Sequence, residues 1–126
     1  MALVSIIIPA HNAAETLAEC IEACRQQTYR PLELIVVDDG STDDTPRIAW
    51  VHPVHYIRQD QRGPAAARNR GAREARGAIL AFTDSDCVPA EDWAARLVDG
   101  FDEDTVAVGG TYGIANPDSK LARMIH

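Results

Sequence analysis

The sequence predicts an open α/β fold built on a mostly parallel sheet, and three observations carry the prediction. Five apolar runs recur along the chain, at residues 3–9, 32–37, 54–58, 78–83 and 106–110. The first two are continuous and rich in β-branched residues, the pattern of strands covered on both faces. Between the runs lie segments with helical apolar spacing, and strands alternating with helices imply right-handed crossovers in a Rossmann-like layer.

Taken in order, Val4-Ser5-Ile6-Ile7-Ile8 reads as a buried strand. It is too short to span a membrane and lacks the basic start and cleavage site of a signal peptide. In the segment 13–25, Ala13, Ala14, Leu17, Cys20, Ile21 and Cys24 fall on one broad helical face. Asn12 is expected to cap that helix, with Glu15 three positions on completing a reciprocal capping pair. Leu32-Glu33-Leu34-Ile35-Val36-Val37 forms the second strand, and Pro46 and Pro53 bracket a short segment before the third. A second helix is predicted over residues 64–76, with Ala65, Gly71, Ala72 and Ala75 around Arg68 on its inward face and Arg70, Arg73 and Arg76 in solvent. A third helix starts near Pro89 and groups Trp93, Ala94, Leu97 and Phe101. Residues 111–126 have weak periodicity and read as a loop plus a short helix, or as the start of something longer. No repeat, low-complexity stretch or linker divides residues 1–126, which form one domain.

Composition bounds the function. A chain of 126 residues suits one core. Hydrophobic residues at 46% and charged residues at 25% argue against disorder. The net charge of -7 disfavours nucleic acid, which needs a basic surface, but leaves a nucleotide open. Three cysteines without a signal peptide point to a reducing compartment, the cytoplasm. Cys20 and Cys24 have no His or further Cys beside them and read as buried helix residues.

Ligands of such sheets bind beyond the carboxyl ends of the strands. There stand Pro9-Ala10-His11-Asn12, then Asp38-Asp39-Gly40-Ser41-Thr42-Asp43-Asp44, then Asp84-Ser85-Asp86. At least four carboxylates converge on one edge, an arrangement that repels itself unless a cation or hydrogen-bond donors enter. Alternation would turn Asp84 and Asp86 to one side and Ser85 away. Two hard oxygens together suit Mg²⁺ or Mn²⁺, whereas the plainer alternative is a helix cap. Asp38 and Asp39 are turn formers, or one accepts backbone N–H bonds while the other meets a uracil N–H or a ribose hydroxyl. Arg68, on a small-residue face, pairs with a strand-end carboxylate or reaches a ligand diphosphate. His11 and His55 read as packed or surface residues, and only the strand-end position of His11 makes it a candidate.

These stretches carry a family resemblance. Residues 4–12 resemble the opening strand of family 2 glycosyltransferases, and residues 33–43 resemble their second-strand signature. Gly63-Pro64-Ala65-Ala66-Ala67-Arg68-Asn69-Arg70-Gly71, followed by residues 77–86, is similar to the helix and strand leading into their D-x-D site. The resemblance, in family order from Val4 to Phe101, implies a GT-A three-layer sandwich that binds a nucleoside-diphosphate sugar, UDP-linked by preference, with Mg²⁺ or Mn²⁺. It implies that Pro9, His11 and Glu15 line the nucleotide pocket with Asp38 and Asp39, and that Asp39 recognises the base. Arg68 would approach the diphosphate, Asp84 the ribose or sugar, and Asp84 and Asp86 the metal. The implied reaction is inverting transfer to an acceptor hydroxyl of a saccharide or lipid.

The chain also departs from the pattern. The family's general base is an Asp further along, often in a Glu-Asp pair. Beyond Phe101 stand only Asp102, Glu103, Asp104 and Asp118, none in that context. The expectation is a donor-binding half, truncated before the base and the acceptor site, with little or no transfer of its own. Any membrane association would come through sequence beyond it, at the cytoplasmic face. The short segment before residue 54 would reshape one flank of the base pocket. An exposed sheet edge at residues 106–110 would pair with a second copy. The alternative is a non-catalytic nucleotide-binding module. A phosphate-accepting receiver domain expects a Lys after the fifth strand, where Gly109-Gly110-Thr111 stand, and no G-x-G-x-x-G marks a nicotinamide site.

Overall fold

The computed structural model describes residues 1–101 and the backbone of two further strands, 107–108 and 120–123. In chain order the elements are β1 (Val4–Ala10), α1 (Leu17–Arg25), β2 (Leu32–Asp39), α2 (Thr45–Trp50), β3 (His55–Gln59), α3 (Pro64–Glu74), β4 (Ile79–Phe82), α4 (Trp93–Asp99), β5 (Ala107–Val108) and β6 (Lys120–Arg123). The strands form one sheet in the order β3-β2-β1-β4-β6-β5, and every pairing is parallel.

Alternation along β1 divides the core. Ile6 and Ile8 face Leu17, Cys20, Ile21 and Cys24 of α1, Ala49 of α2 and Trp93, Ala94 and Leu97 of α4. Ile7 faces the other way, with Ile35, Val37, Leu80 and Phe82 against Ala67 and Ala72 of α3. These are the three layers of the predicted sandwich, and Cys20 and Cys24 are buried helix residues, as their apolar context implied. Two expectations about α3 need amendment. It ends at Glu74, and its inward residues are Ala67, Gly71 and Ala72, whereas Ala65 is exposed.

Three further differences have local causes. Helix α1 starts at Leu17, not residue 13, because residues 14–16 make a separate turn whose Thr16 and Leu17 amides donate to the Ala13 carbonyl. Helix α4 starts at Trp93, not at Pro89. Its Ala94 amide donates to Gln27 Oε1, while the Gln27 amide group donates to the Ala23 and Ala90 carbonyls and ties α4 to α1. Residues 120–123 form a strand beside β4, where a loop and helix were expected. Strand β5 ends the sheet, the edge from which pairing with a second copy was expected; residues 106 and 109–110 of that stretch lie outside the described residues.

The topology fixes where a ligand can enter. The chain winds from β1 through β2 to β3, then returns to place β4 on the other side of β1. Crossovers diverge at β1 and β4, and a crevice opens there beyond the carboxyl ends. Helix α3 packs closely on the sheet: a Cβ on Gly71 would lie 2.5 Å from Ile7 Cγ2 and 3.2 Å from Val37 Cγ2. Gly71→Ala would gain about 1 kcal/mol of helix propensity but meets an overpacking cost of about 1–3 kcal/mol. Because the clash is with a buried, β-branched side chain, overpacking wins. We expect urea denaturation to show a net loss near 1 kcal/mol for Gly71→Ala.

Candidate functional site

The loop after β1 is stitched to the loop after β2. Asn12 takes a left-handed backbone with φ 49°, which Asn tolerates better than most residues. Its amide donates to Ser41 Oγ at 2.9 Å, and its Oδ1 accepts from the Thr42 amide at 2.8 Å. The Ala13 and Ala14 amides donate to Thr45 Oγ1 and Asp43 Oδ2. Asn12 therefore does not cap α1. The Ala13 and Ala14 amides, which precede α1, are instead satisfied from a loop about thirty residues away.

The two aspartates ending β2 divide their work. Asp38 is fully buried and accepts from the Ser41 amide, Tyr56 Oη and Arg58 Nη1 at 2.9, 2.6 and 2.9 Å. Asp39 is 4% exposed, and its carboxylate accepts from Gln59 Nε2 and the Arg62 and Gly63 amides at 2.8–2.9 Å. Burial pushes the Asp39 carboxyl up, but the bonds from Gln59, Arg62 and Gly63 outweigh it, and the group is held below the ordinary carboxylate range. Its backbone carbonyl accepts from His11 Nδ1 at 2.8 Å. A carbonyl cannot donate, so Nδ1 carries the proton and Nε2 accepts from Asn12 Nδ2 at 3.4 Å. Gly40, at φ 73°, completes the arrangement, since a Cβ there would lie 2.9 Å from the Gln61 amide nitrogen.

Beyond β4 the chain turns rather than extends. The Cys87 amide donates to the Asp84 carbonyl at 3.0 Å, placing Ser85 and Asp86 at the centre of a turn. Ser85 consequently lines the cleft and is not turned away as strand alternation predicted. Asp84, Asp86 and Cys87 each offer one ligand atom within 4.8 Å of the others. Burial raises the Cys87 thiol above its ordinary value, and its Sγ donates to Asp86 Oδ1 at 3.6 Å. Two of the three offered ligands are hard carboxylates, which suit Mg²⁺ or Mn²⁺. Buried Cys20 also supports the turn, donating through Sγ to the Asp84 carbonyl at 3.4 Å. Its thiol is kept protonated by the Cys24 hydrogen bond, then by burial and nearby acidic charge.

Between these loops lies a cleft of about 490 Å³, lined among others by Pro9, His11, Asn12, Asp39, Gly63, Asp84 and Asp86. Of the residues singled out in the sequence, Pro9, His11, Asp39, Asp84 and Asp86 meet here. Asp38 lies behind the wall, Glu15 is exposed outside the lining, and half-buried Arg68 on α3 is also outside it. Sequence reasoning passed over Gln61 and Gly63, which reach the cleft because Asp39 holds their loop; no local pattern announces that bond. Asp102, Glu103, Asp104 and Asp118 lie outside the described residues.

The family model described as "Glycosyl transferase family 2" matches residues 5–126. Glycosyltransferase AglE of Haloferax volcanii is 40% identical over 94% of this chain and 42% of its own length. The mannosyltransferase PcManGT of Pyrobaculum calidifontis, solved with GDP-Man and Mn²⁺, has a TM-score of 0.72 and 35% identity over 83% of this chain and 34% of its own. S. aureus TarS, solved with UDP, has a TM-score of 0.71 and 25% identity over 87% of this chain and 37% of its own. The chain thus spans less than half the length of these relatives. No helix among the described residues is long and apolar enough to cross a membrane.

Asp39 and Asp43 are both held below the ordinary carboxylate range, Asp43 chiefly by the Thr45 hydroxyl. A depressed folded-state value means the unfolded chain takes up protons first on acidification. The stability these groups contribute is therefore full above about pH 4 and is lost as pH falls further. Asp39→Asn, which sets an NH₂ against backbone donors, should cost about 1–3 kcal/mol at pH 7 and flatten the acid limb; urea denaturation from pH 7 to pH 2.5 measures both.

Proposed function

The chain belongs to glycosyltransferase family 2, and from that premise we propose that it carries the donor side of an inverting, metal-dependent transfer from a nucleoside-diphosphate sugar, UDP-linked by preference, to an acceptor hydroxyl. The observation that carries this reading is the pair of carboxylates on the Asp84–Cys87 turn, facing a pocket with an acceptor-rich wall at the sheet's switch point. Asp84 and Asp86 would hold Mg²⁺ or Mn²⁺. When bound, the cation offsets the negative charge that gathers on the departing diphosphate.

The chain's own residues have distinct parts in this reading. Pro9 and Ala10 form a wall for the base, and His11, oriented by the Asp39 carbonyl, stands at its edge. The carboxylate of Asp39 holds the 61–63 loop as the opposite wall, and base recognition by Asp39 operates beside that duty. Asp38 fixes the β2–β3 end from behind. Arg68 serves the diphosphate from α3, and Glu15 the outer rim. The cleft's described carboxylates all serve the donor, so the acid–base group for the acceptor is expected from other parts of the enzyme. The setting is cytoplasmic, in keeping with the free cysteines Cys20, Cys24 and Cys87. The acceptor is a saccharide or lipid hydroxyl.

Calorimetric titration of UDP, with Mn²⁺ and then with EDTA, tests the proposal. Affinity should fall at least about tenfold without metal, a change near 1.4 kcal/mol. Asp86→Ala should abolish the metal dependence while leaving the fold intact by circular dichroism. Binding of GDP or dTDP instead of UDP would keep the site and change the base, whereas metal-independent binding in both proteins would contradict the reading.

A further inference from the structure

A second cleft, of about 700 Å³, lies between β3 and the outer face of α3. Its lining, Arg58, Gln59, Asp60, Arg62, Ala66, Arg70 and Arg73, shares no residue with the first. Four of the eleven arginines of a chain with net charge -7 therefore gather around one depression that a single carboxylate lines. They come from three separate pieces of chain: β3, the loop after it, and α3.

The crowding is built into the fold. Arg58 is clamped, with Nη1 on Asp38 and Nη2 on the Ser41 carbonyl, both at 2.9 Å. Ala66, Arg70 and Arg73 follow at helical spacing on one face of α3, away from buried Ala67 and Gly71. Arg70 leans on Glu74 at 3.4 Å, an exposed pair of little worth. Arg62 and Arg73 are exposed and make no ion pair among the described residues. Edge strands often carry charge to discourage further pairing, and β3 is an edge. That purpose would be met by Arg58 alone and does not account for positions 62, 70 and 73. Like charges held this close repel unless an anion enters, and guanidinium forks suit phosphate oxygens.

We propose that this cleft is a second ligand site, which takes an anion carrying two or more phosphate charges, free in solution or displayed by lipid headgroups, through Arg62, Arg70 and Arg73, the Arg58 guanidinium being committed to Asp38 and the Ser41 carbonyl. The site is linked to the first cleft through Arg62, which lines the second and whose amide donates to Asp39 on the wall of the first. Its occupant would therefore bear on the wall of the nucleotide pocket without entering it.

Pyrophosphate titrated calorimetrically into the chain, in EDTA to remove any metal-held route, is one arm of the test. Co-sedimentation with phosphatidylglycerol vesicles, against phosphatidylcholine alone, is the other. Arg62→Gln/Arg73→Gln should weaken binding about tenfold or more, as expected when two charge-assisted contacts are lost. Arg96→Gln, on α4 outside the cleft, should leave it unchanged. Pyrophosphate binding with that dependence identifies a soluble phosphate ligand, and vesicle binding with the same dependence and no pyrophosphate binding identifies headgroups. Absence of binding in both arms, or an equal loss in Arg96→Gln, overturns the proposal.

Discussion

The carboxylate of Asp39 accepts three hydrogen bonds, from Gln59 and from the amides of Arg62 and Gly63, and most of the site's shape descends from them. They join the end of β2 to the end of β3 and to the start of α3. The carbonyl of the same residue orients His11 at the end of β1. One buried residue thereby sets both walls of the cleft, and Gly40 lets the Gln61 backbone come close enough for this to happen. A charge so deeply buried is tolerable only because its donors are fixed in place, two of them main-chain amides.

Carboxylates crowded at one sheet edge would repel, and the fold resolves this by giving them different neighbours. Asp38 is answered by Ser41, Tyr56 and Arg58, and Asp39 by the loop it holds. Asp38 therefore serves the scaffold alone, whereas Asp39 serves it while lining the cleft. Asp84 and Asp86 sit instead on a turn, close together and facing the cleft, where a divalent cation can offset them. The division distinguishes structural acids from ligand-directed ones on physical grounds, which the acidic motifs alone could not do.

Much of this was legible in the sequence. Continuous β-branched runs marked β1 and β2, because strands covered on both faces need no polar alternation. The small residues of the third crossover marked α3, and the acids beyond the strands marked the edge where the cleft opens. What remained hidden depends on partners far away in the chain. Asn12 looked like a cap, yet its side chain bonds Thr42, and Asp43 and Thr45 answer the Ala13 and Ala14 amides ahead of a helix that has no side-chain cap. Ser85 looked averted because alternation was assumed to continue past β4, where a turn intervenes. Arg73 and Arg76 are exposed, as their place off the inward stripe implied, but nothing local announces that Arg62 lines one cleft with Arg70 and Arg73.

The central claim is that the strand-end cleft is a metal-assisted nucleotide site, and paramagnetic broadening by Mn²⁺ in the amide NMR spectrum tests it most directly. With substoichiometric Mn²⁺ and UDP, broadening should be strongest at residues 84–87 and reach His11 and Gly63, which line the same cleft. Asp86→Ala should remove it. Broadening centred on another acidic stretch, such as residues 43–44, or unchanged in Asp86→Ala, would contradict the account.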